Sequence, residues 1–193
     1  MRSVGIFFFF LVCALSFFSC HTVAKRNVLY VNLTDRSKFV LLPLSGIEKD
    51  MDMAQALSAE IRGQNYFFNA WVKANENEIE MSFFNELGAG IGELSFRDGI
   101  IYFSSIVIPK AVLRSIKSEY AIADFQLCFY DPVLLGESLK SGGLVLEIND
   151  GNRRVLNGNH VIIDIKKTVN TVEFVNHLRG YTYTLAGDFS VMR

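Results

Sequence analysis

Charge of one sign is missing from this chain. The Lys and Arg residues number 19 against 20 Asp and Glu, a formal net charge of −1. That balance gives no electrostatic footprint for nucleic acid or for a strongly anionic membrane surface. Motifs for chemistry are missing as well. The three histidines are His21, His160 and His177. His21 lies in the stretch before the domain, and the other two have no cysteine or carboxylate at metal-ligand spacing, so neither a metal nor a cofactor is expected. There is no Gly-x-Ser-x-Gly elbow and no Ser-x-x-Lys motif with its companion sequences. Gly88-Ala89-Gly90-Ile91-Gly92 looks like a phosphate loop only superficially. It sits between strands with no helix N-terminus behind it, which fits a bend or bulge in a curved sheet better. Asp150-Gly151-Asn152 is too short for a calcium loop. Glu78, Glu80, Asp98 and Asp124 form no evident catalytic pair, and the chain is expected not to be an enzyme.

Long apolar runs are absent too, with one exception at the start. Arg2 supplies a positive charge, and Val4 to Phe18 is almost wholly apolar. A charged residue followed by an apolar run of that length reads as an export signal, too short for a comfortable membrane span. The run ends at Phe18-Ser19-Cys20. A small residue before a cysteine suits lipoprotein signal peptidase, which would leave Cys20 as an acylated N-terminus. Phe17 departs from the usual Leu three residues before that cysteine. Ordinary cleavage or a retained anchor helix is the competing reading. The expected layout is therefore a signal peptide over 1–19, a lipid-anchored tether over 20–53 and one domain over 54–193. The expected location is the cell envelope, at the periplasmic face of the outer membrane.

Cysteine is scarce, with three in the chain. If Cys13 leaves with the signal and Cys20 carries lipid, Cys128 has no partner for an intramolecular disulfide, and the core must hold the fold alone. Cys128 lies between Leu127 and Phe129, which points to a buried, inert thiol. Half the residues are apolar, which suits a globular domain and argues against disorder.

The domain itself is rich in alternation. Residues 66–73 place Tyr66, Phe68, Ala70 and Val72 on one face and Phe67, Asn69, Trp71 and Lys73 on the other, as a half-buried strand does. Ile79, Met81 and Phe83 alternate with Glu78, Glu80 and Ser82. Arg97-Asp98-Gly99 is a hairpin signal, and residues 57–104 read as an antiparallel meander. Before it, an early strand or a short helix is expected around Ile47 to Leu57. Pro109 suits a first helical turn. Val112, Ile116, Tyr120, Ala123 and Leu127 then form a helical stripe that breaks into two pieces near Glu119. Asp131-Pro132 starts a further helix and Gly142-Gly143 ends it. Strands resume over Leu144–Ile148, Arg153–Leu156, Val161–Ile165, Val172–Phe174 and Tyr181–Leu185.

This order predicts an α+β fold, mainly antiparallel β. Nine or ten one-sided strands would form a curved half-barrel sheet, capped by two or three helices inserted mid-chain. The aromatic and Met side chains Tyr66, Phe68, Met81, Phe83, Phe96, Phe174, Tyr181 and Tyr183 would converge on its apolar face. Two readings stay open for them, packing in a filled core or lining a cavity for an acyl chain.

The motif order resembles a family of bacterial envelope lipoproteins whose domain has no known function, some of them accompanying aryl-polyene or fatty-acid-like biosynthesis genes. The resemblance spans residues 57–187. It rests on Ala123-Asp124-Phe125-Gln126-Leu127, Asp131-Pro132 with Leu134-Leu135, Leu144 to Glu147, Arg153-Arg154-Val155-Leu156, Val172-Glu173-Phe174 and Arg179-Gly180-Tyr181. Phe84-Asn85-Glu86-Leu87-Gly88 is similar to a strand-turn of Lol-type receptors. The resemblance implies a LolA/LolB-like half-barrel and a role in binding or transferring lipid or lipidated cargo. The expected partners are a membrane, reached through lipidated Cys20, and an acyl chain or lipidated cargo, with no nucleic acid and the chain itself a monomer. A filled barrel with a structural or interaction role is the alternative. For a membrane-facing loop, Ile106-Val107-Ile108 and Leu41-Leu42-Pro43-Leu44 are the candidates, each also explained by packing within the domain.

Overall fold

The computed structural model describes residues 22–27, 30–61, 63–107 and 117–189. The export signal, Cys20, and the helix start at Pro109 with Val112 and Ile116 lie outside these residues. The strands run β1 (Thr22–Asn27), β2 (Tyr30–Asn32), β3 (Lys38–Val40), β4 (Met51–Ile61), β5 (Gln64–Ala74), β6 (Ile79–Phe84), β7 (Gly90–Arg97) and β8 (Ile100–Ser105). Helices α1 (Ser118–Phe129) and α2 (Pro132–Ser141) follow, then β9 (Val145–Asn149), β10 (Asn152–Asn157), β11 (His160–Lys167), β12 (Thr171–Asn176) and β13 (Tyr181–Ala186). The fold is α+β and mainly antiparallel, with its helices inserted mid-chain.

Two meanders, β4 to β8 and β9 to β13, lie side by side in one sheet of 11 strands, order β1-β8-β7-β6-β5-β4-β13-β12-β11-β10-β9. They join where β4 pairs antiparallel with β13, Leu57 opposite Leu185. The sheet stays open, with β1 and β9 at its edges. Local chemistry sets the corners. Asp98 and Gly99 take φ of 53° and 70°, and Asp150 and Gly151 take 49° and 78°. Paired positive φ values make the tight turns whose twist matches antiparallel strands. The glycine-rich stretch is a bulge, as its spacing predicts. Phe83 pairs with Gly92 but Phe84 with Gly90, a register shift in the β6–β7 ladder.

The stretch 20–53 is not a free tether in its described part. Thr22–Asn27 pairs with β8, and Val31, Leu33 and Phe39 are buried. Nor is there a helix around Ile47 to Leu57. Met51, Met53, Gln55, Leu57 and Ala59 alternate inward along β4 against exposed Asp52, Ala54, Ala56, Ser58 and Glu60. A period of two won over helical propensity because the inner face had a core to join. Among the described residues the main sheet holds 11 strands where nine or ten were expected, and β2 and β3 form a second sheet of two.

The same stretch explains a helix that is buried all round. Ile122 to Phe129 of α1 are all buried, which needs cover on both sides. The sheet supplies one side. Residues 30–48 supply the other, strapped by the Gln126 side-chain amide, which accepts from Leu42 N and donates to Leu42 O, both at 2.9 Å. Helix α2 starts as expected, with Asp131 Oδ1 accepting from Val133 N and Leu134 N. It ends at Gly142, where an added Cβ would lie 2.1 Å from the Lys38 carbonyl oxygen.

Candidate functional site: an apolar cavity between the sheet and the first helix

Along β5 the inner face changes from closed to open. Ala74 is 1% exposed, Val72 and Ala70 are both 4%, and Tyr66 reaches 44%. The helices cover one end of the sheet and leave the other uncovered. Between them lies a cavity of about 350 Å³, walled by β4, β5, β6, β13 and α1. Its lining is nearly all apolar, with Leu57, Phe68, Val72, Phe83, Phe125 and Leu185 among its walls. That volume is in the range of small-molecule sites. Phe68 and Phe83 meet edge to face, ring centres 5.7 Å apart.

The polar exceptions are concentrated. Asp124 of α1, Arg179 of the β12–β13 turn and Tyr181 of β13 all border the cavity. The Tyr181 hydroxyl donates to Asp124 Oδ2 at 2.6 Å and accepts from Asn176 Nδ2 at 3.3 Å. The Arg179 guanidinium lies 3.9 Å from the Tyr120 ring centre and donates through Nη2 to the Asn32 carbonyl. Two atoms of this group are buried with no hydrogen-bond partner among the described residues, Asp124 Oδ1 and Arg179 Nε. Burial pushes the Asp124 carboxyl up to about 7, against the opposing pull of the Tyr181 hydrogen bond and the Arg179 charge. Burial, then the Asp124 charge, also holds the Tyr181 phenol far above its ordinary range.

Across α1 the helix-end carbonyls are paired. The last four carbonyls of a helix lack partners within it. Here Gln126 O accepts from Tyr130 N at 3.0 Å and Phe129 O from Glu48 N at 3.0 Å. Leu127 O accepts from Arg153 Nη1 at 2.9 Å, and Cys128 O from Lys167 Nζ at 2.8 Å. Two cations at a helix C-terminus also suit its dipole. Burial lowers the affinity of Arg153 for its proton, opposed by Glu48, whose Oε2 lies 3.2 Å from Arg153 Nη2. Cys128 is fully buried, and burial followed by the Asp124 charge pushes its thiol up to about 12. That is the inert thiol its neighbours predict.

Of the eight residues picked out by alternation, the structure brings Phe68, Met81, Phe83, Tyr181 and Tyr183 to the cavity wall. It does not bring Tyr66, Phe96 or Phe174 there. Tyr66 shares the face but lies past the covered region, its hydroxyl donating to Gln64 Oε1 at 2.8 Å. Phe96 is packed in the core opposite Ile79 and Ile101. Phe174 is fully buried behind the wall, stacked on Tyr183 at 4.7 Å and Tyr181 at 6.0 Å. Facing the right way is therefore not enough, because the helices decide which inward residues meet open space.

Neither histidine of the domain builds a site. His160 is exposed, and His177 Nε2 lies 2.7 Å from Asp164 Oδ2 on the surface. Among the described residues, no three His, Cys, Asp or Glu side chains come together as a metal group. Of the loop candidates, Leu41, Leu42 and Leu44 pack against the core, whereas Ile106 and Val107 are exposed; Ile108 lies outside the described residues. Leu87, 92% exposed at the tip of the β6–β7 turn, was not among them. Asp124 and Arg179 were missed as a pair. The signal for Asp124 was a lone charge inside the apolar run Ala121–Phe129.

Comparison with known proteins adds the family. The profile of a family described as "Protein of unknown function (DUF3261)" matches residues 52–186. No curated protein matches the chain. The chain belongs to that family of unknown function.

Proposed function

We propose that this member of the family is a lipid-anchored, non-enzymatic protein that binds or transfers a hydrophobic ligand at the periplasmic face of the outer membrane. The observation that carries the reading is the apolar cavity of about 350 Å³ between the sheet and α1. A water's share of liquid volume is about 30 Å³; on that scale the space suits about a dozen heavy atoms, one medium-length chain. Burying such a chain is worth about 0.8 kcal/mol per methylene before the cost of association. The apolar run before Cys20 supports the anchor, and the LolA/LolB-like resemblance agrees with an open sheet capped by helices. The rival reading, a structural lipoprotein with a filled interior, is disfavoured by the same cavity.

The test is binding of a fluorescent acyl probe to the purified domain, with native mass spectrometry for lipid carried through purification. Ala70 is buried on the cavity wall, so Ala70→Leu fills space. It is expected to weaken probe binding at least tenfold while leaving the circular dichroism spectrum unchanged. Equal probe binding by the filled variant, or none by the unsubstituted protein, overturns the reading. For the anchor, Cys20→Ser is expected to abolish labelling by an alkyne-tagged palmitate analogue.

A further inference from the structure

The two partnerless atoms beside the cavity have opposite hydrogen-bonding character. Arg179 Nε can only donate, and Asp124 Oδ1 accepts when ionised and can donate when protonated. Buried polar atoms left unpaired cost about 1–3 kcal/mol each, and native proteins keep few of them. Both belong to residues that border a mainly apolar cavity, whose lining also includes Gln55. We propose that Asp124 and Arg179 form a head-group anchor for a single-chain aliphatic carboxylic acid, whose two oxygens take the Arg179 Nε–H and a proton shared with Asp124 Oδ1. This deepens the ligand-binding reading and rests on it.

Charge and size favour a carboxylic acid over other amphiphiles. With one proton between two carboxyl groups, one negative charge faces one guanidinium, and the complex is neutral. A two- or three-chain lipid exceeds the volume. The groups around Asp124 are Tyr181 on Oδ2, the Arg179 charge, Tyr183 on the wall and Cys128 behind it, the last two held protonated by burial. Lys167 is turned to the Cys128 carbonyl. Below pH 7 Asp124 brings the shared proton itself. Above it, binding must take up a proton, and affinity for the acid falls about tenfold per pH unit.

The experiment compares dodecanoate, its methyl ester and dodecanol from pH 6 to 9, by calorimetry below their aggregation limits. The expected result is that dodecanoate binds most tightly at pH 6 and loses about a hundredfold by pH 9, while ester and alcohol show no such slope. Asp124→Asn, which still donates from its amide, is expected to bind dodecanoate without that slope. Arg179→Met is expected to lose the preference for acid over ester at every pH. If all three probes bind alike, with no pH slope, the anchor is overturned while the ligand-binding reading stands. If none binds, both fall.

Discussion

The two flanks of α1 hold buried charge in opposite ways. On the flank towards β10 and β11, Arg153 and Lys167 cap the helix carbonyls and Arg153 pairs with Glu48. On the flank towards β13, Asp124 and Arg179 each have one buried atom unpaired among the described residues. Both flanks carry the desolvation cost of charge. Only the first leaves none of its buried charged-group atoms unpaired among the described residues. A satisfied buried charge is a structural part, and an unsatisfied one beside a cavity points outward to something that is not the chain.

That comparison can be broken by substitution. The largest effect is expected from Arg153→Met, which keeps the aliphatic packing but strips Leu127 O of its donor and Glu48 of its partner. It should cost about 2–4 kcal/mol in urea unfolding, most of it from the uncapped buried carbonyl, since Glu48 is half exposed. Asp124→Asn should have the opposite sign. A carboxyl whose folded value lies near 7 against an ordinary 3.8 penalises the folded state fully above pH 7, and the penalty vanishes as pH falls towards 3.8. The variant should therefore be more stable by about 1–2 kcal/mol at pH 8, because the unpaired amide offsets part of the relief, with the gain shrinking at pH 4.5. Loss of stability at pH 8 would mean that Asp124 is as well paired as Arg153. The smallest effect is expected from Phe68→Ala on the open wall. Its ring faces the cavity and is only half buried, so it should lose about 1 kcal/mol or less in stability, below the 3–5 typical of a core Phe. Probe affinity should change far more.

Most of the sheet was legible in the sequence because a one-sided strand writes its period into the chain. The hairpin at Asp98-Gly99, the bulge at Gly90-Gly92 and the cap at Asp131 were readable because each depends on neighbours in sequence. The strap over residues 30–48 was not. Its strands are three residues long, too short for alternation to register, and its burial depends on a helix far along the chain. Which inward residues line the cavity did not show for the same reason. Phe174 and Tyr183 stand directly opposite each other in register, yet one faces packed side chains and the other open space. The pairing of Asp124 with Arg179 lies at still longer range, between a helix and a turn that follows four further strands.

The seam at the centre of the sheet sets a time order. The cavity wall includes β4, the first strand of the first meander, and β13, the last strand of the second, hydrogen-bonded to each other. Nearly the whole domain must be synthesised before that pair can close, and pairing across such a sequence distance is slow. The chain therefore has no finished pocket until its final strand arrives. Whatever occupies the cavity can enter it only once β13 is in place beside β4.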